Sequence, residues 1–252
     1  MIEVLILSIV QGITEFLPVS SSAHLVFISK FITFHQQSLS IDVSLHIGSF
    51  LAVISFFYRD ILNFIENREI FFKILISSLP VILLGIILVQ TEIIDQLRTL
   101  KIIGWTTIIF GILLFISDKY KLENDLKKNF SFKSALIIGL VQAISLIPGV
   151  SRSGVTITAA RFLRFKRFDS AKISFLLSIP TLGAVSIYGF QNIILNEDIN
   201  FSILNLVSIF FSFLFSFLTI KFFLKYIEKF SLKLFVIYRI ILGLILLYLA
   251  YL

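Results

Sequence analysis

The potentially reactive side chains of this protein fall in two short polar stretches within an otherwise apolar sequence. Residues 10–25 read Val-Gln-Gly-Ile-Thr-Glu-Phe-Leu-Pro-Val-Ser-Ser-Ser-Ala-His-Leu, and residues 141–156 read Val-Gln-Ala-Ile-Ser-Leu-Ile-Pro-Gly-Val-Ser-Arg-Ser-Gly-Val-Thr. Both run Val-Gln-small-Ile-hydroxyl, then proline, then Val-Ser-x-Ser. Because polar groups inside a membrane are costly, two such stretches at matched positions predict one site that they build together.

The first stretch carries a carboxylate, three hydroxyls and an imidazole around a proline. Gln11 and Glu15 are four residues apart and so share one helix face. Pro18 ends this half-helix. The next half-helix begins with three serines and carries a histidine, namely Ser20, Ser21, Ser22 and His24.

The second stretch carries an arginine where the first has the middle one of its three serines. Pro148 and Gly149 break the helix, and the following half-helix opens with Ser151, Arg152 and Ser153, with Thr156 one turn on. A half-helix N-terminus offers unpaired N–H groups and a partial positive charge to an anion. Two such termini with hydroxyls and a planar guanidinium predict a phosphate or diphosphate site.

Each of these residues also has an ordinary structural explanation. A serine after a proline often only caps a helix. Glu15 and Arg152 could form a structural ion pair between the two stretches, and His24 could be a hydrogen-bonded structural histidine. Because charges buried in membrane helices usually mark function, the functional interpretation is favoured. His35 and His46 fall near the outer end of a span and are expected to be structural.

The composition is that of an integral membrane protein. The chain has 252 residues, of which 58% are hydrophobic and 15% charged, and its mean hydropathy is +1.01. A soluble domain carries about 25% charged residues. No cysteine is present, which excludes disulfides and thiolate metal sites. The first 30 residues lack a basic n-region and a small-residue cleavage site, so no removable signal peptide is expected.

Six runs are apolar and long enough to span a bilayer, which takes about 20 residues. They cover roughly 41–58, 72–90, 102–117, 173–190, 201–220 and 234–252. Segments 1–34 and 134–160 are instead interrupted by proline and hydroxyl residues, which leave backbone groups unpaired in lipid. Such backbone is tolerated at membrane depth only inside protein or beside water, so both segments are predicted to be re-entrant helix pairs.

The positive charges predict how these segments are oriented. Lysines and arginines gather in the loops of four regions, 59–73, 119–133, 161–172 and 221–233. If these loops are cytoplasmic, segment 134–160 starts and ends inside and segment 1–34 starts and ends outside. Three spans follow each, which predicts a single membrane domain, 1–252, built as an inverted-topology repeat of about 1–117 and 118–252. The net charge of +7 then reflects cytoplasmic loops and not nucleic-acid binding.

Both stretches resemble the signatures of the undecaprenyl-diphosphatase (bacitracin-resistance protein) family. The first stretch resembles its Glu/Gln-x-x-x-Glu motif followed by Pro, Ser and His, read here as Gln11-Gly12-Ile13-Thr14-Glu15-Phe16-Leu17-Pro18-Val19-Ser20-Ser21-Ser22-Ala23-His24. The other stretch is similar to its Pro-Gly-x-Ser-Arg-Ser-x-x-Thr motif, read here as Pro148-Gly149-Val150-Ser151-Arg152-Ser153-Gly154-Val155-Thr156. The resemblance extends over the whole chain in length, span count and motif position.

The resemblance implies a hydrolase of the bacterial cytoplasmic (inner) membrane that converts undecaprenyl diphosphate to undecaprenyl phosphate and phosphate. This step recycles the lipid carrier for peptidoglycan and confers bacitracin resistance. The family's site opens to the extracytoplasmic side and depends on a divalent cation, Mg²⁺ or Ca²⁺. The implied partners are a polyprenyl diphosphate lipid and membrane lipids, without nucleic acid, and a homodimer is left open.

By motif position, the resemblance assigns catalytic roles to Glu15, His24, Arg152 and Ser21, the last as the proposed nucleophile. We expect Arg152 to hold phosphate, Glu15 to hold the cation and His24 to transfer a proton. The substrate-binding set is expected to be Gln11, Ser20, Ser22, Ser151, Ser153 and Thr156. Gln11 stands where many members have a second glutamate, which makes a two-carboxylate metal site less expected. Ala23 stands where many have glycine.

The sequence is also compared with the patterns of two other classes of membrane protein. Inverted repeats with broken helices are a signature of secondary transporters and of lipid flippases. The acid-phosphatase-like membrane lipid phosphatases use two histidines in separate motifs, whereas no histidine follows Ser151-Arg152 in this chain. The attacking group is either Ser21, with His24 as its base, or a water.

Overall fold

The computed structural model describes residues 1–29, 38–66, 68–91, 93–195 and 202–252. His35, which the sequence predicts to be structural, lies outside the described residues. Over the described ranges the chain forms thirteen α-helices and one short 3₁₀ turn at Ile144–Leu146. The helices are α1 (Ile2–Thr14), α2 (Ser21–Ser29), α3 (Leu39–Phe56), α4 (Tyr58–Glu66), α5 (Arg68–Gln90), α6 (Ile93–Leu97), α7 (Leu100–Asp118), α8 (Leu126–Asn129), α9 (Phe132–Ala143), α10 (Arg152–Phe162), α11 (Arg167–Leu195), α12 (Ile203–Lys229) and α13 (Lys233–Tyr251).

The six predicted spans correspond to six long apolar helices. By length and composition α3, α5, α7, α11, α12 and α13 can each cross a membrane. Their faces divide in the way membrane helices do, with one part buried against neighbouring helices and large apolar side chains exposed on the rest. The prediction of an all-α integral membrane protein is therefore confirmed.

Two of the predicted loops are helical. Helix α12 ends at Lys229 instead of near residue 220, so Lys221 and Lys225 lie on its last turns. The helix continues because Phe223 and Ile227 extend its buried face beyond the apolar run. In the same way, Arg59 lies on the short helix α4 and not in a loop.

Both broken segments are pairs of half-helices. Helices α1 and α2 have 13 and 9 residues, and α9 and α10 have 12 and 11. At about 1.5 Å per residue each is roughly 14–20 Å long, short of the about 30 Å of a hydrocarbon core. The two members of each pair pack against each other. These lengths are those that re-entrant helix pairs require.

Contacts between the two halves follow a symmetric pattern. Helix α1 packs on α12, the second span of the other half, and α9 packs on α5, the second span of the first half. The first spans of the halves, α3 and α11, pack together, as do the third spans, α7 and α13. A two-fold relation between residues 1–117 and 118–252 would pair elements in this way, and the inverted repeat itself stays a prediction.

Small residues allow these helices to approach closely. A Cβ at Gly48 in α3 would lie 2.5 Å from the carbonyl oxygen of Ile209 in α12. A Cβ at Gly139 in α9 would lie still closer to the carbonyl oxygen of Ser77 in α5. Both distances are too short for any side chain, so glycine sets the helix separation, as small residues do in membrane interfaces.

A buried carboxylate joins the ends of several helices. Asp118, at the end of α7, accepts hydrogen bonds from Arg167 at 2.6 and 3.1 Å and from the backbone N–H of Leu232 at 3.1 Å. The fully buried Arg161 lies 3.7 Å from the same carboxylate. Arg161 and Arg167 thus anchor α10 and α11 to α7, in addition to any role in setting orientation, and Asp118 itself binds the residue before α13.

Candidate active site

The two helix breaks contact each other directly. The backbone N–H of Gly149 donates a hydrogen bond to Ser22 Oγ at 3.1 Å, and Ser153 Oγ donates to the carbonyl oxygen of Leu17 at 2.7 Å. Each break therefore satisfies a backbone group of the other with a serine from the start of its own second half-helix. The prediction that the two polar stretches come together agrees with this geometry.

Each break contains a serine with a positive φ angle. Ser20 has φ 75° and Ser151 has φ 71°, a left-handed region that residues other than glycine rarely adopt. Ser151 Oγ accepts from the Gly154 N–H at 3.1 Å, and Ser20 Oγ accepts from the Ala23 N–H at 3.4 Å. The two serines cap α10 and α2, so the simpler helix-cap explanation holds for these two hydroxyls.

Arg239, in the middle of α13, connects the two breaks. Its side chain is fully buried, and its guanidinium donates to the carbonyl oxygens of Gly149 at 3.1 Å, Val150 at 3.0 Å and Pro18 at 3.4 Å. Its Nε donates to the carbonyl of Thr107 in α7 at 3.1 Å. Sequence reasoning missed this residue. The signal was available, because a single arginine within an apolar span is costly and so marks a specific partner.

Glu15 and Arg152 form an ion pair between the two broken segments. Arg152 Nη2 lies 2.8 Å from Glu15 Oε1, and Arg152 Nη1 donates to the Ser174 carbonyl at 3.1 Å. The Glu15 and Arg152 side chains are 10% and 13% exposed, so the pair is enclosed but still accessible. This contact has the geometry of the structural alternative and also places both predicted catalytic charges at one point.

Gln11 and His46 extend this polar chain. Gln11 Nε2 donates to Glu15 Oε2 at 3.1 Å and lies 2.9 Å from His46 Nδ1. Because the amide nitrogen is a donor, His46 Nδ1 acts as an acceptor and carries no hydrogen. His46, expected to be structural, therefore contacts a residue of the predicted site and orients its amide.

His24 is held at both ring nitrogens. Nδ1 lies 2.6 Å from the Ser20 carbonyl oxygen, and Nε2 lies 2.5 Å from the Tyr238 hydroxyl. Among the described residues, neither nitrogen contacts Ser21. Tyr238 is a second residue of α13 that sequence reasoning missed, and an isolated tyrosine in an apolar span offered no pattern that could have found it.

Of the three serines around the start of α2, Ser21 differs from its neighbours. The Ser20 hydroxyl lies 3.1 Å from the Ser22 hydroxyl, and both take part in the contacts between or within the breaks. Within the described parts of the chain the Ser21 hydroxyl has no hydrogen-bond partner, and the residue is partly exposed. Ser21 is therefore the serine whose oxygen remains available.

Most of the predicted substrate-binding side chains support the breaks instead of facing open space. Gln11, Ser20, Ser151, Ser153 and Thr156 are all buried, between 0% and 8% exposed. Thr156, for example, donates to the Arg152 carbonyl at 2.8 Å. Their contribution in this conformation is to shape the breaks. Among the predicted catalytic and substrate-binding residues together, the partly exposed ones are Glu15, Ser21, Ser22, His24 and Arg152.

Comparison with known proteins places the chain in a family. Residues 4–245 match the family model described as bacitracin resistance protein BacA. The chain belongs to this family. A Pelagibacter ubique protein named undecaprenyl-diphosphatase is 51% identical over 251 residues, which cover 99% of this chain and 98% of that protein. Proteins with the same name from Jannaschia sp. and Saccharophagus degradans are each 38% identical, over 98% and 94% of this chain and 97% and 93% of their own lengths.

In this BacA-family protein, a divalent cation at the breaks would have Glu15 as its carboxylate ligand. The described residues contain no group of three or more histidines, aspartates and glutamates that could hold an ion. Glu15 is the one carboxylate at the breaks, and each of its oxygens already accepts one N–H bond. A carboxylate has further lone pairs. Glu15 would be the residue to hold such an ion, and phosphate oxygens of a bound ligand would have to complete its coordination.

Replacing Arg239 by lysine should destabilise the protein. One ammonium group cannot reach carbonyls on both breaks and on α7, so buried backbone oxygens lose their donors. We expect Arg239→Lys to lower the free energy of unfolding by about 2–5 kcal/mol. The loss would appear as a lower thermal unfolding midpoint in detergent. Arg164→Lys is the control, because Arg164 is half-exposed beside Glu123. Equal midpoints for the two variants would contradict this role.

Proposed function

We propose that this chain hydrolyses undecaprenyl diphosphate to undecaprenyl phosphate and inorganic phosphate and so recycles the lipid carrier for peptidoglycan synthesis. It is a multi-pass membrane enzyme, and its activity accounts for bacitracin resistance, the property for which its family is named. The observation that carries the proposal is the contact of Arg152 with Glu15 between the two breaks, in a chain 51% identical along its length to a protein named undecaprenyl-diphosphatase.

The charges at the breaks suit a diphosphate. Arg152 opens α10 and Ser21 opens α2, so both stand at half-helix N-termini, where backbone N–H groups favour anions. The guanidinium of Arg152 can turn its fork from Glu15 to the terminal phosphate, whose oxygens it binds bidentately. Phosphoryl transfer depends mainly on position and on neutralised charge, which these groups supply.

The length of α10 supports a site near the middle of the bilayer. Helix α10 runs 11 residues from Arg152, with the basic Arg161 in its last turn, which is about 16 Å at 1.5 Å per residue. If the basic ends are cytoplasmic, Arg152 lies about halfway through the hydrocarbon core. We place the protein in the bacterial inner membrane, with the site open to the extracytoplasmic side.

A divalent cation belongs to this proposal as a companion of the substrate. Glu15 would hold the ion together with phosphate oxygens, and the ion when bound would neutralise phosphate charge. We expect a chelator to abolish phosphate release from a C55 diphosphate by the purified protein and added Mg²⁺ or Ca²⁺ to restore it. Full activity after exhaustive chelation would remove the cation from the proposal.

Exchanging the charges of the ion pair separates a structural role from a catalytic one. Glu15→Ala and Arg152→Ala should each lower phosphate release about 100–1000-fold, because each removes a charged contact that the transition state needs. The double variant Glu15→Arg with Arg152→Glu keeps opposite charges in contact. We expect it to recover thermal stability relative to the single variants but not turnover.

The turnover of the double variant and of a remote control shows whether the ion pair is catalytic. If turnover returned in the exchanged protein, the pair would be structural and the site would lie elsewhere. Arg164→Ala removes an exposed arginine and should keep wild-type turnover. Because the assay runs in detergent without two compartments, released phosphate also distinguishes hydrolysis from the transport that a repeated fold suggests.

Ser21 is the proposed attacking group. Its oxygen would form a bond to the terminal phosphorus as its proton passes to His24, while the bond to the bridging oxygen breaks and undecaprenyl phosphate leaves. Water would then release phosphate from the serine. We expect labelled substrate to give a phosphoserine that is absent in Ser21→Ala, whose turnover falls about 100-fold or more. Ser134→Ala, near the start of α9, serves as the control. Near wild-type turnover in Ser21→Ala would leave water as the nucleophile.

A further inference from the structure

Tyr238 contacts the atom of His24 that would handle a proton. Its hydroxyl lies 2.5 Å from His24 Nε2, and the two rings are nearly parallel, at 5° with centroids 5.5 Å apart. We propose that Tyr238 is a positioning residue of the reaction, which holds the imidazole of His24 in place for proton transfer. This inference rests on the proposed function and deepens it.

The hydrogen bonds determine which nitrogen of His24 is available. The Ser20 carbonyl oxygen, 2.6 Å from Nδ1, can only accept, so Nδ1 carries the hydrogen of the neutral ring. Nε2 is then the acceptor, and the Tyr238 hydroxyl donates to it. Only Nε2 can take up a proton from the reaction, and Tyr238 stands at that atom.

The hydroxyl suits this position in both protonation states of His24. A phenolic hydroxyl can donate to neutral Nε2 and can accept from Nε2–H once the ring is charged. The lone pair of Nε2 accepts one hydrogen at a time, so the hydroxyl turns its own hydrogen away when Nε2 takes up the proton. The hydroxyl oxygen then accepts from Nε2–H, and the contact between oxygen and nitrogen is kept. A phenylalanine at this position would keep the ring contact and lose only this bond.

The two hydrogen-bond partners of His24 come from different halves of the chain. Ser20 belongs to the break of the first half, whereas Tyr238 lies on the last span of the second half. Tyr238 is adjacent to Arg239, whose bonds to the carbonyls of Pro18 and Gly149 tie α13 to both breaks. The same helix thus fixes the breaks and, one residue away, the orientation of the imidazole.

A tyrosine that only lines the membrane would not show this geometry. Tyr238 is 43% exposed, and interfacial tyrosines commonly direct the hydroxyl toward water. Here the hydroxyl is directed to a ring nitrogen of a residue 214 positions away. Tyr248, farther along the same helix and 67% exposed, is the matched tyrosine without such a contact to the breaks.

The test measures kcat and KM for phosphate release from a C55 diphosphate in detergent. We expect Tyr238→Phe to lower kcat about 10–100-fold with KM within about threefold of wild type, within the range that proton-transfer groups supply. His24→Ala should fall at least as far, and the double variant should be no slower than His24→Ala, because Tyr238 acts through His24. Tyr248→Phe should match wild type.

The outcomes separate this inference from the proposed function. If Tyr238→Phe kept the wild-type kcat while His24→Ala was inactive, the inference would fail and the proposed function would stand. The same holds if the losses of the two single variants multiplied in the double variant. If His24→Ala kept wild-type kcat, the role of His24 in the proposed function would fail first. Thermal unfolding midpoints near wild type show that Tyr238→Phe is folded, so that a lost kcat reports on His24.

Discussion

The structure depends on satisfying the backbone of two helix breaks where water is scarce. At each break the helical hydrogen bonds stop, and every free N–H or carbonyl group there needs another partner. The breaks supply partners to each other through Ser22 and Ser153. Arg239 adds donors to carbonyls on both. Because each break completes the other, the two halves of the chain cannot separate without exposing these groups.

This mutual dependence also explains how charges can sit at the site. Glu15 and Arg152 would each be costly alone in an apolar environment. They neutralise one another at 2.8 Å, and Gln11 occupies the second carboxylate oxygen. The pair is nevertheless partly exposed, so an incoming anion can compete for the guanidinium. A diphosphate, which carries more charge than a carboxylate, is the type of ligand that would do so.

Part of this arrangement was predictable from the sequence, for physical reasons. Apolar run length revealed the six spans because the bilayer imposes a minimum length on a helix. Proline and consecutive hydroxyls revealed the breaks because they interrupt helical hydrogen bonding. The end of α12 was misjudged, since Lys221 and Lys225 resemble a loop in sequence while Phe223 keeps the helix packed. Local polarity carries no information about such packing.

The order of residues along the chain was enough to predict the helical membrane class, the two broken segments and the types of group they carry, because hydrophobicity and helix breaking are local properties. The three-dimensional arrangement was needed to show which of these groups meet. Three contacts join residues at least 89 positions apart. They are the ion pair of Glu15 with Arg152, the hydrogen bonds of Arg239 to both breaks and the contact of Tyr238 with His24. Such contacts depend on how the helices pack, and no local pattern in the chain records that.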